Sequence, residues 1–167
     1  GEYQPLTDEE SEEEYLIVHR ALTRAGYEHY EVSNYAREGY RAKHNSAYWT
    51  GIEYLGLGPG AHSFSGDNRT WCTSTAKEYA EGVMRYEDEQ LTAVDHLNEY
   101  VMISLRRVEG IDLRLIEERF GIAERRRIRH SAQPWIDCGA LNEVGNRLRI
   151  PAEKFLVSDA VIESLFA

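Results

Sequence analysis

Cysteine is scarce in this chain: Cys72 and Cys138 are its only two, far apart in the sequence. A secreted scaffold stapled by disulfides is therefore excluded. So is a self-contained zinc or iron–sulfur site built on cysteine, which needs several close thiolates. Both read as small, reduced side chains. No apolar run approaches the roughly 18–20 residues that a membrane helix needs. The opening Gly1-Glu2-Tyr3-Gln4-Pro5 has neither the basic start nor the apolar stretch of a signal peptide. Positive charge is in the minority, with 19 Lys plus Arg against 29 Asp plus Glu and a net charge of −10. This argues against nonspecific binding of nucleic acid or anionic membrane over the whole surface, while leaving room for a local basic patch. Signatures of several enzyme classes are missing as well: no HExxH, no P-loop, no Ser-His-Asp order and no paired-carboxylate spacing is visible.

What remains is ordinary globular usage, 42% hydrophobic and 29% charged over 167 residues. That is enough chain for a real core in one domain or two small ones. Thr7-Asp8-Glu9-Glu10 is a capping box that starts a helix running to about Ala25, ended by Gly26. Tyr15, Val18, Leu22 and Ala25 share its predicted buried face. Tyr27–Tyr35 reads as one short strand by its alternation, and a polar, aromatic loop follows from Ala36 to Thr50. Ile52–Ala61 reads as a buried strand that ends in a glycine-rich turn. Gly66-Asp67-Asn68 is a turn signal, with a possible strand over Arg69–Ser74. Thr75 caps a helix through Arg85, and Glu87–Gln90 reads as a charged linker.

The pattern changes at Leu91. Val94, Leu97, Val101 and Leu105 mark a helix to about Arg107, broken by Gly110. Asp112 caps a second helix through Phe120, and Ala123–Cys138 is a third, bent or shortened by Pro134. Gly145-Asn146 joins two strands, Leu141–Val144 and Arg147–Ile150, as a hairpin. Asp159 or Ser158 caps a last helix to Phe166. Three helices and then a hairpin is the plan of a winged-helix domain, with a boundary near residue 88.

Two segments are candidates for chemistry. His44-Asn45-Ser46-Ala47-Tyr48-Trp49 puts a histidine beside two aromatics, and imidazole ligates metals and haem iron. Gly56 to Ser63 contains Gly58 and Gly60, whose backbone could approach a ligand closely or cradle an anion or an adenosine-type cofactor. The structural alternatives are a loop histidine bonded to backbone, a packed aromatic pair and a tight turn. Arg125-Arg126-Arg127, Arg129 and His130 lie at a recognition-helix position, so DNA binding is weighed. Glu117, Glu118 and Glu124 lie close enough to make a salt-bridged face instead, which is the preferred reading. His19, His29 and His96 are given no function.

The stretch from Tyr30 to Ser63 also resembles a known family. Tyr30-Glu31-Val32-Ser33-Asn34-Tyr35-Ala36, Gly39-Tyr40, the HNxxYW motif at His44–Trp49, and Tyr54-Leu55-Gly56-Leu57-Gly58-Pro59-Gly60-Ala61-His62-Ser63 resemble the HemW family of haem chaperones. These were formerly described as oxygen-independent coproporphyrinogen III oxidases, within the radical S-adenosylmethionine (SAM) proteins. Arg107–Gly121 resembles that family's C-terminal domain.

The resemblance implies an α+β chain: residues 1–87 as the end of a partial α/β barrel, and 88–167 as a small, helical, winged-helix-like domain. Family members carry a CxxxCxxC motif for a [4Fe–4S] cluster that positions SAM, and this sequence has none. The expectation is therefore the C-terminal part of a longer cytoplasmic protein, truncated rather than a degenerate paralogue, binding no cluster and inactive alone. The resemblance makes His44 a candidate axial haem ligand, with Asn45, Tyr48 and Trp49 completing a haem-binding loop. Gly56, Gly58, Gly60 and Ala61 become the barrel edge facing SAM, with His62 as a second ligand or donor. No catalytic residue or metal ligand is assigned. The implied partners are haem or a porphyrin, a haem-accepting protein and, through an exposed barrel edge, another copy, with no specific nucleic acid. Three alternatives stay open: radical decarboxylation of coproporphyrinogen propionates in the parent, a winged-helix nucleic-acid module, and a structural lid.

Overall fold

A computed structural model describes residues 5–44 and 51–167. Contacts divide the chain into two compact units, residues 1–43 with 97–167, and residues 44–96. These spatial units are not the sequence segments 1–87 and 88–167, which concern family architecture rather than contacts.

In the first unit, helix α1 (Asp8–Arg24) starts at the expected capping box. The Thr7 hydroxyl accepts the Glu10 N–H at 3.2 Å, and the Glu10 carboxylate accepts the Thr7 N–H at 2.8 Å. The buried face is turned from the predicted one. Val18 is 49% exposed, whereas Tyr15, His19 and Leu22 are half-buried. The sequence Tyr27–Tyr35 forms two strands rather than one, β1 (Glu28–Glu31) and β2 (Asn34–Ala36), paired antiparallel. The turn is made by Glu31, a buried carboxylate that accepts the Ser33 N–H at 3.2 Å and the Asn34 side-chain amide. The alternation pattern cannot report this, because three consecutive residues of β1, His29, Tyr30 and Glu31, are all buried.

Farther along lie the helical core elements. Helix α3 (Ala93–Leu105) contributes Leu97, Val101 and Leu105 to the core. The short strand β6 (Ile111–Asp112) leads into α4 (Leu113–Phe120), whose first turn is capped by Asp112 accepting the Arg114 N–H at 2.9 Å. Helix α5 (Ile122–Asp137) continues past Pro134 rather than ending there. Strands β7 (Asn142–Val144) and β8 (Arg147–Arg149) flank Gly145-Asn146 as expected, and β8 is the centre of a three-stranded sheet ordered β6-β8-β7. A 3₁₀ turn (Ala152–Val157) buries Phe155 and passes directly into α6 (Ser158–Leu165). This continuity places Val157 at the helix start, so neither Ser158 nor Asp159 supplies a side-chain cap.

The second unit holds β3 (His62–Ser65), β4 (Asn68–Cys72), α2 (Ala76–Ala80) and β5 (Tyr86–Gln90). The Gly66 turn joins β3 to β4, and the sheet order is β3-β4-β5. Two expectations fail here. The charged run 87–90 is no linker; it is part of β5, an exposed strand paired residue by residue with β4. Its acidic side chains suit an edge strand, where like charges disfavour pairing with a second copy. The apolar run 52–61 is no buried strand. Only Tyr54 bridges, to Phe64, while Leu55 and Leu57 are 77% and 80% exposed. Helix α2 also ends at Ala80, five residues short of the predicted end, where Gly82 takes a positive φ.

Among the described residues no helix is long and apolar enough to cross a membrane. The α+β composition expected from sequence is what the chain has.

Candidate functional site

The segment that delivers His44 is pinned by Arg41. Its guanidinium donates through Nε to Glu28 at 3.0 Å, reaches Glu109 at 2.5 Å, and lies 5.2 Å from the centre of the Tyr30 ring. The Tyr30 hydroxyl in turn accepts the Ala42 N–H at 3.3 Å. Hydrogen bonding to Glu28 raises the Arg41 pKa further, against the opposing effect of partial burial. Arg41 thus ties the start of the loop to β1 and to the turn after α3. Three residues on, His44 lies exposed in a helical turn. Asn45, Tyr48 and Trp49, the remaining predicted haem-loop residues, lie outside the described residues.

The glycine-rich segment is held by close backbone contact. The Gly56 N–H donates to the Ser63 hydroxyl at 3.0 Å. A Cβ at Gly56 would stand 2.1 Å from the His62 carbonyl oxygen, so no other residue fits without moving the backbone. The Gly60 N–H donates to the Cys72 carbonyl at 2.8 Å, the Ala61 N–H to Gly58 at 3.2 Å, and the Cys72 N–H to Ala61 at 3.1 Å. The N–H groups of Gly56, Gly60 and Ala61 are therefore engaged within the protein. Gly58 has φ +111, a conformation open to glycine. His62 is exposed and stacks on Trp71 across the β3–β4 pair, with centroids 5.7 Å apart.

Gly56→Ala is expected to detach 54–58 from β3 while leaving the helical unit folded. The outcome is read by amide hydrogen exchange. Protection at Phe64, whose N–H donates to the Tyr54 carbonyl at 2.9 Å, should fall at least about tenfold, with protection in α5 unchanged.

The cysteines do not fit a cluster. Cys72 is buried in β4 and Cys138 is exposed at the end of α5, and two thiolates at such distant chain positions cannot supply the several ligands that an iron–sulfur cluster takes. Among the described residues no group of three or more His, Cys, Asp or Glu side chains is arranged to hold a metal ion. Three arginines of the run are salt-bridged: Arg125 pairs with Glu117, Arg127 with Glu124 at 2.6 Å, and Arg129 with Glu143 at 3.0 Å.

A cluster with no function assigned from sequence is the aromatic–histidine group beneath α1. The Nδ1 atoms of His19 and His29 lie 3.0 Å apart. The His29 ring stacks on Tyr35 with centroids 3.9 Å apart, and meets Phe155 edge-on at 5.2 Å. Burial, opposed by the hydrogen bond to the Val32 carbonyl, holds the His29 pKa below the ordinary imidazole value. The sequence signal was present: His19 stands four residues after Tyr15, on the same helix face.

Residues 91–157 match the family described as HemN C-terminal domain. The chain is 34% identical over 170 residues to a protein of Mycobacterium tuberculosis H37Rv named Heme chaperone HemW, covering 99% of this chain and 42% of that protein. It is 33% identical over 118 residues to a Bacillus subtilis protein of the same name, covering 68% of this chain and 31% of that one. The chain thus spans less than half the length of these relatives. Its fold resembles the solved coproporphyrinogen III oxidase HemN of Escherichia coli with TM-score 0.64 and 17% identity, over 90% of this chain and 39% of that one.

Proposed function

The chain belongs to the HemW/HemN family, matching the C-terminal part of its members, and from that premise we propose that it binds haem and passes it to an acceptor protein. The observation that carries the reading is the HNxxYW segment, which opens on an exposed histidine three residues after Arg41. An exposed imidazole at a fixed chain position is a suitable axial ligand for haem iron. Asn45, Tyr48 and Trp49 follow it as a hydrogen-bonding side chain and two flat aromatic faces. Gly56, Gly58, Gly60, Ala61 and His62 form the edge turned to the SAM-binding half of the whole protein.

In that whole protein a [4Fe–4S] cluster and SAM supply one-electron chemistry. Two distant cysteines are too few to hold the cluster, and the work assigned to this chain is to bind and present haem. The alternative of porphyrinogen oxidation draws on a resemblance in fold alone. Residues 88–167 serve as a winged-helix-like domain and 1–87 as a barrel segment, in a cytoplasmic protein. The winged-helix assignment is supported by the order α3, α4, α5 and then the β7–β8 hairpin. The salt-bridged arginines speak against a role for that domain in binding nucleic acid.

The test is a haemin titration followed by Soret absorbance. The wild-type chain is expected to give a saturable Soret shift, and His44→Ala to weaken binding by at least about tenfold, the loss of roughly 1.4 kcal/mol or more. Equal affinity in the two proteins would remove His44 as the ligand.

A further inference from the structure

The His19–His29 contact joins three elements, α1, the β1–β2 hairpin and the 3₁₀ turn at 152–157, and the haem reading makes no use of it. Its hydrogen bonding fixes where protons can sit. The Nε2 of His29 lies 3.2 Å from the Val32 carbonyl oxygen, which only accepts, so Nε2 carries a hydrogen. In neutral His29 the other nitrogen, Nδ1, is then an acceptor. The hydrogen in the 3.0 Å contact must come from His19 Nδ1.

An added proton on Nε2 of His19 leaves this contact intact. A second has only Nδ1 of His29 left to occupy. Two N–H groups would then face each other between two imidazolium rings, on a ring that is 3% exposed. The surroundings do little to absorb that charge. From α1 the facing titratable groups are His19 and Tyr15, from β2 Tyr35, and from the 3₁₀ turn Glu153, which acts on Tyr15. From β1, Glu31 favours the His29 charge, but its carboxylate is already engaged by Ser33 and Asn34.

We propose that His19 and His29 form a proton-operated latch that fastens α1 to the β1–β2 hairpin near neutral pH and releases it in mild acid. Docking admits one added proton on the pair, whereas in the undocked chain each imidazole can take its own. The undocked state therefore binds one more proton below about pH 6.5. The docking equilibrium should weaken roughly tenfold for each pH unit below that point, and about thirtyfold by pH 5.

Native-state amide hydrogen exchange along α1 at pH 7.5 and pH 5.0, corrected for intrinsic exchange, tests this with α5 as internal reference. The expected result is a fall of about thirtyfold in α1 protection with little change in α5. In His19→Gln the amide can donate to neutral His29 or accept from its imidazolium, which removes the N–H against N–H contact while the burial of His29 remains, so the fall should shrink measurably without vanishing. Unchanged α1 protection in the wild type, a parallel fall in α5, or the same fall in His19→Gln would overturn the latch. A measurement needing no variant stands beside it. The ¹⁵N shifts of His29 should report the Nε2–H tautomer at pH 7.5 and a protonation step that coincides with release of α1. The Nδ1–H tautomer at pH 7.5, or a step away from the release, would equally overturn it.

Discussion

Gly110→Ala is expected to destabilise the helical unit by about 3 kcal/mol or more, lowering Tm by roughly 10 °C. Two causes add. The residue sits at φ +66, where an L side chain is strained by about 1–2 kcal/mol. Its Cβ would also stand 2.0 Å from the Leu148 carbonyl oxygen and 2.8 Å from Cγ of Arg149. The oxygen belongs to β8, the central strand, and Leu148 pairs with Ile111 of β6. Relieving the clash means pushing β6 off β8, which drags Asp112 and the cap of α4 with it. Gly145→Ala isolates the first cause. It has φ +63 with nothing within 4 Å of a new Cβ, so it should cost only about 1–2 kcal/mol. Urea denaturation of both variants decides the matter: equal losses would mean that the approach to Leu148 is unimportant.

Gly110 was legible in the sequence only as a helix breaker, and its closeness to β8 was not. The same limit explains which other expectations held. Features encoded within a few residues were read correctly: the capping box at Thr7, the Asp112 cap, the Gly66 turn and the Gly145-Asn146 hairpin are all present. Features set by distant partners were not. Glu87–Gln90 has the composition of a linker and becomes a strand because β4 lies beside it. Leu55 and Leu57 have the composition of a core and are exposed, because a strand is buried by neighbours rather than by its own residues. His19 rather than Val18 turns inward on α1, because a polar imidazole is accepted inside once a second ring satisfies it. The candidate haem loop was found by motif alone. Its anchor, Arg41, was invisible, since Glu28 and Glu109 come together around it only in the fold.

Phe155→Ala should be similarly damaging, at about 3–5 kcal/mol. The ring is 1% exposed and belongs to the same core cluster as Leu105, Leu148 and Leu165. Truncation leaves a cavity that cannot collapse readily, because the residue lies on a 3₁₀ turn held by the Pro151 carbonyl at one end and continued into α6 at the other. Phe166→Ala, at the 39% exposed chain end, removes the same atoms from a wet site and should cost under about 1 kcal/mol. The buried ring has a second role, because its edge-on contact at 5.2 Å forms one wall around His29. Removing that wall admits water and lessens the desolvation that holds the His29 pKa down. The imidazole should therefore titrate closer to its ordinary value in Phe155→Ala, at a pH where the protein is still folded. Phe155→Leu refills most of the volume without the ring, and should recover more than half of the stability. Denaturation of the three variants measures the packing, and histidine NMR on Phe155→Ala measures the wall. A large stability loss with no change in the His29 titration would place the burial of that imidazole on Tyr35 and α1 alone.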